Sequence, residues 1–329
     1  MGLIPSASAS GAERSPSSRN EIWSLFSEVA ATNPGAWIRK PVSPEAVVTP
    51  SADNRPIAFP YNKLMVANSS VNQGAGFILT SLAEARAAGI DESRLVYVGA
   101  GAAAHEPNDV LARDRYDRSP SMAVSIERAL SLNGLTSADI DMVELYSCFP
   151  CVPKMARRIL EWPPERPASV FGGLTFGGGP IGNYMSHAVV SMVAELRERG
   201  RVGLLFANGG ICTTNHTIAL GRAPFAPEIV LQPFDVQVEA DARRGPAPPL
   251  DEDYVGPSVI ETYTVFYERD GRPRFGTIVG RGPVGQRFLA KVPAADETGI
   301  AFLTNGQVEP VGSRGEARTG DDGDRLWRR

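Results

Sequence analysis

Cysteine is scarce in this 329-residue chain, confined to Cys148, Cys151 and Cys212. An odd, low count over such a length excludes the disulfide framework of a small secreted domain, and a reducing, cytoplasmic setting is the simplest expectation. Long apolar runs are missing too: none approaches the roughly 18 residues that would cross a bilayer. There is no excess of positive charge. Lys and Arg total 33 against 37 Asp and Glu, a net −4, so bulk charge gives no support to nucleic-acid or anionic-membrane binding. The first 18 residues, rich in Ser, Ala, Pro and Gly, have neither a basic n-region nor an apolar h-region, which excludes a signal peptide. They read as a disordered tail. Met1, Gly2 and Ser6 fit a myristoylation pattern, but so short a pattern matches by chance and Pro5 is awkward inside it.

What is present describes a soluble globular chain of two domains, with 43% apolar and 21% charged residues. Helices are predicted over 21–32, 77–88, 121–133, 152–160 and 183–199, the third from Met122, Ile126, Ala129 and Leu130 on one face. Short apolar strands are expected at 95–99, 140–145, 202–206 and 217–220. Residues 33–62 read as a long ordered loop. The alternation predicts an α/β layered domain over 19–224. From 225 to 312 the texture becomes β-rich, with strands at 229–238, 259–267, 275–279, 288–292 and 300–303. Asp270-Gly271 sits between two of these as a hairpin signal. About five strands predict a small OB-like barrel or sandwich. Residues 313–329 mix both charges with Gly and read as a mobile tail.

Four segments carry a family resemblance. ANSSVNQGAG (67–76) is similar to the thiolase stretch leading to N-D-G-A-A, with Gln73 replacing Asp. VELYSCFP (143–150) is similar to the segment reading N-E-A-F in thiolases and H-D-C-F in sterol-carrier-protein thiolases. Cys148 and Phe149 match, and Tyr146 stands where Asn or His would be. GGLTFGGGPIG (172–182) is similar to G-G-x-x-x-x-G-H-P-x-G, with Gly178 matching and Gly179 in the place of the His. GLLFANGG (203–210) is similar to the strand ending in C-x-G-G, with Ala207 in the place of the Cys. The chain from 21 to 303 thus resembles the C-terminal half of the thiolase superfamily. The wording is nearest to bacterial acetyl-CoA acetyltransferase-like proteins and thiolase-like protein type 1, which carry an additional C-terminal domain.

The resemblance implies a mixed sheet covered by helices and a CoA thioester as substrate, with no cofactor besides. It also implies a loss. Gly and Ala side chains neither move a proton nor hold an oxyanion, so ordinary thiolase chemistry by this chain alone is unsupported. Substitutes at the cleft are Tyr146, His187 and His216 as catalytic groups, and Cys148, Gly178, Gly179, Asn208 and Gly209 as substrate contacts. A core histidine satisfied by the backbone remains the alternative for each His, and a core aromatic for Tyr146. His105 reads as incidental. Cys148 and Cys151 form C-x-x-C, but no second such pair or His pair completes a zinc site, and no thioredoxin-like context supports a redox pair. The glycine run matches neither G-x-G-x-x-G nor a P-loop.

Half a thiolase would expose a broad apolar face. That predicts a partner chain carrying the nucleophile-bearing half, or a homo-oligomer. An acyltransferase-type subunit acting on acyl-CoA leads. A non-catalytic lipid or acyl-carrier-binding protein, a subunit of an aldolase-type complex, and an inert fragment stand beside it.

Overall fold

A computed structural model describes residues 16–225 and 234–329, with side chains from residue 21. The expected N-terminal tail lies largely outside the described residues, and so does the start of the strand expected at 229–238. In chain order the elements are α1 (Pro16–Thr32), α2 (Pro44–Val48), β1 (Pro56–Ala58), β2 (Tyr61–Asn62), α3 (Leu82–Ala87), β3 (Tyr97–His105), α4 (Pro120–Leu132), β4 (Met142–Leu145), α5 (Cys151–Leu160), α6 (Tyr184–Glu198), β5 (Val202–Gly209) and β6 (Thr214–Gly221). There follow α7 (Gln237–Ala242), β7 (Gly256–Tyr267), β8 (Pro273–Arg281), β9 (Arg287–Pro293), α8 (Glu297–Thr304), β10 (Arg314–Thr319) and β11 (Arg325–Arg328).

The first part is a mixed four-stranded sheet in the order β3-β6-β5-β4, in which only β4 and β5 run parallel. Helix α4 starts at Ser119, whose Oγ accepts from Met122 N at 3.2 Å, with Pro120 at the first helical position. It buries Met122, Ile126 and Ala129 completely, each of the larger two worth about 1.5–3 kcal/mol. Asn133 and a left-handed Gly134 end it. On the other face lies α6, whose Met192 rests where a Gly203 side chain would stand. Tyr184, Ala188, Met192 and Leu196 share one cluster with Leu205 and Leu220.

Helix α3 is shorter than the 77–88 expected. Phe77, Ile78 and Leu79 are 53%, 93% and 75% exposed. With no described surface to bury against, helix propensity alone does not hold that stretch.

The second part is a closed ring, β7-β8-β9-β11-β10 and back to β7. Closure leaves no free edge among these five strands. Three expectations are corrected here. Residues 313–329 are no mobile tail: β10 and β11 pair with each other and with β7 and β9. Trp327, 1% exposed, donates from Nε1 to Ser258 Oγ at 3.2 Å and anchors them. Residues 300–303 are helical within α8, because Asp296 caps the start and Ile300 and Leu303 share one buried face. Of the strand expected to reach 238, the described end is helix α7, turned so that Val236 and Ala240 are buried.

The loop expected over 33–62 also carries structure. It holds α2, β1 and β2, and β1 adds to the barrel: Ala58 pairs with Phe266, and Phe59 N donates to Val265 O at 2.8 Å. The boundary at 224 therefore does not divide the two sheets cleanly. Arg287 seals their junction. Its guanidinium, 0% exposed, meets both Glu261 oxygens and donates to the carbonyls of Leu111 and Arg113 at 2.5 and 2.6 Å.

Candidate functional site

The site is built where β4 and β5 end. Parallel pairing sets Leu145 beside Phe206, and Tyr146 N donates to Phe206 O at 3.2 Å. Tyr146 and Ala207 therefore stand level. Across the sheet Ala207 pairs with His216, and His216 with Ala103. Directly paired residues share a face, so Ala207, His216 and Ala103 line one side. His105, two residues past Ala103, joins them, its ring edge-on to His216 with centroids 6.1 Å apart. This is the side that α6 covers lower down. His216 and His105 are exposed beyond it, and Tyr184, the first residue of α6, reaches Tyr146 at 5.6 Å between ring centroids.

The glycine loop is tied to the same strand end. Cys148 O accepts from Ala67 N at 3.1 Å, and Asn68 O accepts from Gly179 N at 2.8 Å. Asn68 N in turn donates to Leu174 O at 3.0 Å. Ser147 Oγ accepts from Leu174 N at 3.0 Å, and Ser169 Oγ accepts from the amides of Gly172 and Gly173 at 2.7 and 2.9 Å. Beneath this turn lies Glu144, fully buried. It accepts from Tyr184 OH at 2.5 Å, Ser169 Oγ at 2.8 Å and the amides of Val170 and Phe171. Gly178 has φ 101°, and a side chain there would run into the Gln73 amide. Gln73 holds the loop by donating to Gly35 O and Gly177 O at 2.8 Å each. Glycine at 178 is thus required twice, by conformation and by space.

Electrostatics follow from burial. Burial pushes the Tyr146 phenol up to about 12, with Cys148 adding to it. The Cys148 thiol is raised to about 12 by burial, and Cys151 adds to the shift. His216 is shifted down by its partial burial and by His105. Near neutrality Tyr146 is therefore a donor, Cys148 a neutral thiol and His216 an unprotonated imidazole. His187 is also shifted down by burial.

Not every sequence candidate reaches this row. His187 is 6% exposed and stacks on Phe171 at 5.2 Å, two rings removed from Tyr146 through Phe171 and Tyr184. Among the described residues its Nε2 has no hydrogen-bond partner. Asn208 belongs to the opposite face, where its Nδ2 meets Asn215 Oδ1 at 2.9 Å, and Asn215 meets Ser121 on α4. Gly209, like Ala207, belongs to the open face. Sequence reading passed over two residues. His105 enters only through the β3–β6 register, which leaves no local trace. Glu144 had a signal, a lone carboxylate in an otherwise apolar strand, which a fully buried strand tolerates only when paired.

Comparisons with known proteins bear on this geometry. Residues 235–323 match the family described as the thiolase-like protein type 1 additional C-terminal domain. An acetyl-CoA acetyltransferase of Schizosaccharomyces pombe is 29% identical over 145 residues, covering 43% of this chain and 34% of its own length. The chain thus spans about a third of that curated relative. The crystal structure of a monomeric SCP2-thiolase-like protein type 1 from Mycobacterium smegmatis superposes with a TM-score of 0.83 at 32% identity, over 95% of this chain and 67% of that one. Among the described residues no helix is long and apolar enough to cross a membrane.

Proposed function

We propose, from the premise that this chain belongs to the SCP2-thiolase-like protein type 1 family, that it handles acyl-CoA thioesters at the strand-end row of Tyr146, Ala207 and His216. The level alignment of these three residues on one open face, beside a glycine loop, carries the reading. In this arrangement the Tyr146 hydroxyl donates to the thioester carbonyl oxygen. His216, unprotonated, takes a proton from the carbon next to that carbonyl or returns one, and His105 beside it supports the charge change. Gly178 and Gly179, expected as substrate contacts, are buried against Gln73, Leu174 and Asn68 and shape the loop without meeting the thioester. His187, packed under Phe171, steadies the loop. No cofactor besides the CoA thioester takes part.

The nucleophile of acyl transfer would come from a second thiolase-type half on a partner polypeptide. In support, Phe77, Ile78, Leu79 and Ile181 are exposed, and α6 shows a half-exposed stripe of Met185, Val189 and Val193. Carbon–carbon cleavage would use the same donor and base in the reverse direction.

The test is acyl-CoA binding by calorimetry, then thioester turnover with a co-expressed partner half. His216→Ala should lower turnover by about 10²–10⁴-fold, the range for a lost general base, and His187→Ala by much less. Binding that survives while neither chain turns over thioester would establish the non-catalytic acyl-binding reading instead. Changing Phe77, Ile78 and Leu79 together to Ser should weaken capture of the partner half at least about tenfold without lowering thermal stability. Unchanged capture would place the interface elsewhere.

A further inference from the structure

The outer edge of β3 is finished by the chain on its way into the barrel. In the order β3-β6-β5-β4, β3 is an edge strand, and one side of its backbone meets no other named strand. Residues 234–236 come alongside it. Ala103 N donates to Phe234 O at 2.7 Å and Val236 N to Ala103 O at 2.9 Å, a parallel bridge between Ala103 and Asp235. The amide and carbonyl of His105, two residues on, point to the same side. A continuing strand would meet them with its next peptide, but the chain turns into α7 at Gln237.

The Gln237 side chain takes that peptide's place. Its Oε1 accepts from His105 N at 2.7 Å, and its Nε2 donates to His105 O at 3.0 Å. Nε2 also donates to Asp241 Oδ1 at 2.9 Å, one helical turn on, which fixes the side chain in this pose. Arg244 closes the bracket. It donates to His105 O and to Asp241, and its Nε meets Glu106 Oε2 at 3.0 Å. Glu106, 6% exposed, is itself held by the Ser119 hydroxyl and by the amide and hydroxyl of Ser121.

We propose that Gln237, with Arg244, is a positioning residue for the histidine pair: it pins the last residue of β3 so that the His105 ring stands edge-on to His216. His105 is exposed and ends both its strand and its register with β6, where pairing frays most readily. An open strand end would let the ring swing away from His216, whose centroid lies 6.1 Å off. Both bracket residues lie in the stretch that matches the additional C-terminal domain. That domain therefore reaches back and shapes the site from beyond the edge of the α/β sheet. The use of the bracket in turnover rests on the acyl-CoA reading; its geometry does not.

The experiment records histidine-selective NMR spectra of the full chain, whose three histidines are told apart by His105→Gln and His187→Gln. The wild-type chain should show a nuclear Overhauser contact between the His105 and His216 rings and slowed exchange of the His105 amide. In Gln237→Ala the ring contact should vanish and the amide should exchange about two- to tenfold faster, the range for one lost hydrogen bond, with thermal stability unchanged. Gln237→Glu keeps an acceptor for His105 N, with Arg244 still on His105 O, and should show the contact again.

With a co-expressed partner half, Gln237→Ala should lower kcat by up to about 10²-fold and leave KM unchanged, since only the side chain supporting the base has moved. A ring contact that persists in folded Gln237→Ala overturns the proposal. So does a His105 amide that exchanges as fast as an unstructured peptide in the wild-type chain, a measurement that needs no variant. Loss of the contact in a protein that turns over no thioester leaves the bracket standing and removes the catalytic reading instead.

Discussion

Arg287→Ala is expected to lower the unfolding free energy by about 3–5 kcal/mol, the range for removing one partner of a buried ion pair. Urea titration at neutral pH measures it. The side chain is fully enclosed, yet it meets two carboxylate oxygens and two carbonyls, and its guanidinium lies 4.7 Å over the Tyr116 ring. Truncation strands the carbonyls of Leu111 and Arg113 at the junction and leaves Glu261 to Arg281 alone. Because those carbonyls belong to the α/β part and Glu261 to the barrel, the transition should also split, with the barrel retained to higher urea. A single transition displaced by less than about 1 kcal/mol, typical of an exposed pair, would show that the junction is held by other contacts.

The second large effect concerns Glu144. Burial raises its carboxyl to about 7, outweighing four hydrogen bonds that favour ionisation. The folded-state value thus lies above the unfolded one of 4.5. The stabilisation tied to this group is complete below about pH 4.5, shrinks as pH climbs, and levels off beyond about 7. The difference amounts to about 3 kcal/mol, at 1.36 kcal/mol per unit. Glu106 and Glu261 are shifted down and act in the opposite sense, losing stabilisation as pH falls. Glu144→Gln therefore supplies the reference. Measured against it, the wild-type chain should lose about 3 kcal/mol between pH 4.5 and 7. Parallel curves for the two proteins would rule this out. Glu144→Ala is harsher: Tyr184, Ser169 and two amides lose their acceptor in a dry site. At about 1–3 kcal/mol per stranded group, a loss of at least about 4 kcal/mol is expected.

The local patterns that sequence carries well are the ones that could be read from it. Helices α4 and α6 have regular apolar stripes, the Asp270-Gly271 turn joins β7 to β8, and the thiolase-like segments follow one another in order. What escaped depends on distant pairing. Leu326 and Trp327 look like scattered apolar residues in a charged tail until β10 and β11 close the ring. Ile300 to Leu303 is too short an apolar run to tell strand from helix, and the Asp296 cap decides it. His105 and His216 meet only because β3 and β6 pair in one register. For the exposed Phe77, Ile78 and Leu79 the sequence offered a helix, but among the described residues they have no surface to pack against.

The hairpin of residues 56–62 bears on how such chains can be recombined. One edge of β7 is shared, Gly256 to Val259 going to β10 and Phe266 to β1. The C-terminal module is therefore not a detachable cassette. A graft made at residue 225 between two relatives would carry Val265 and Phe266 away from the strand that completes them. Only a two-point exchange that brings the early hairpin along would leave both parents' hydrogen bonding whole.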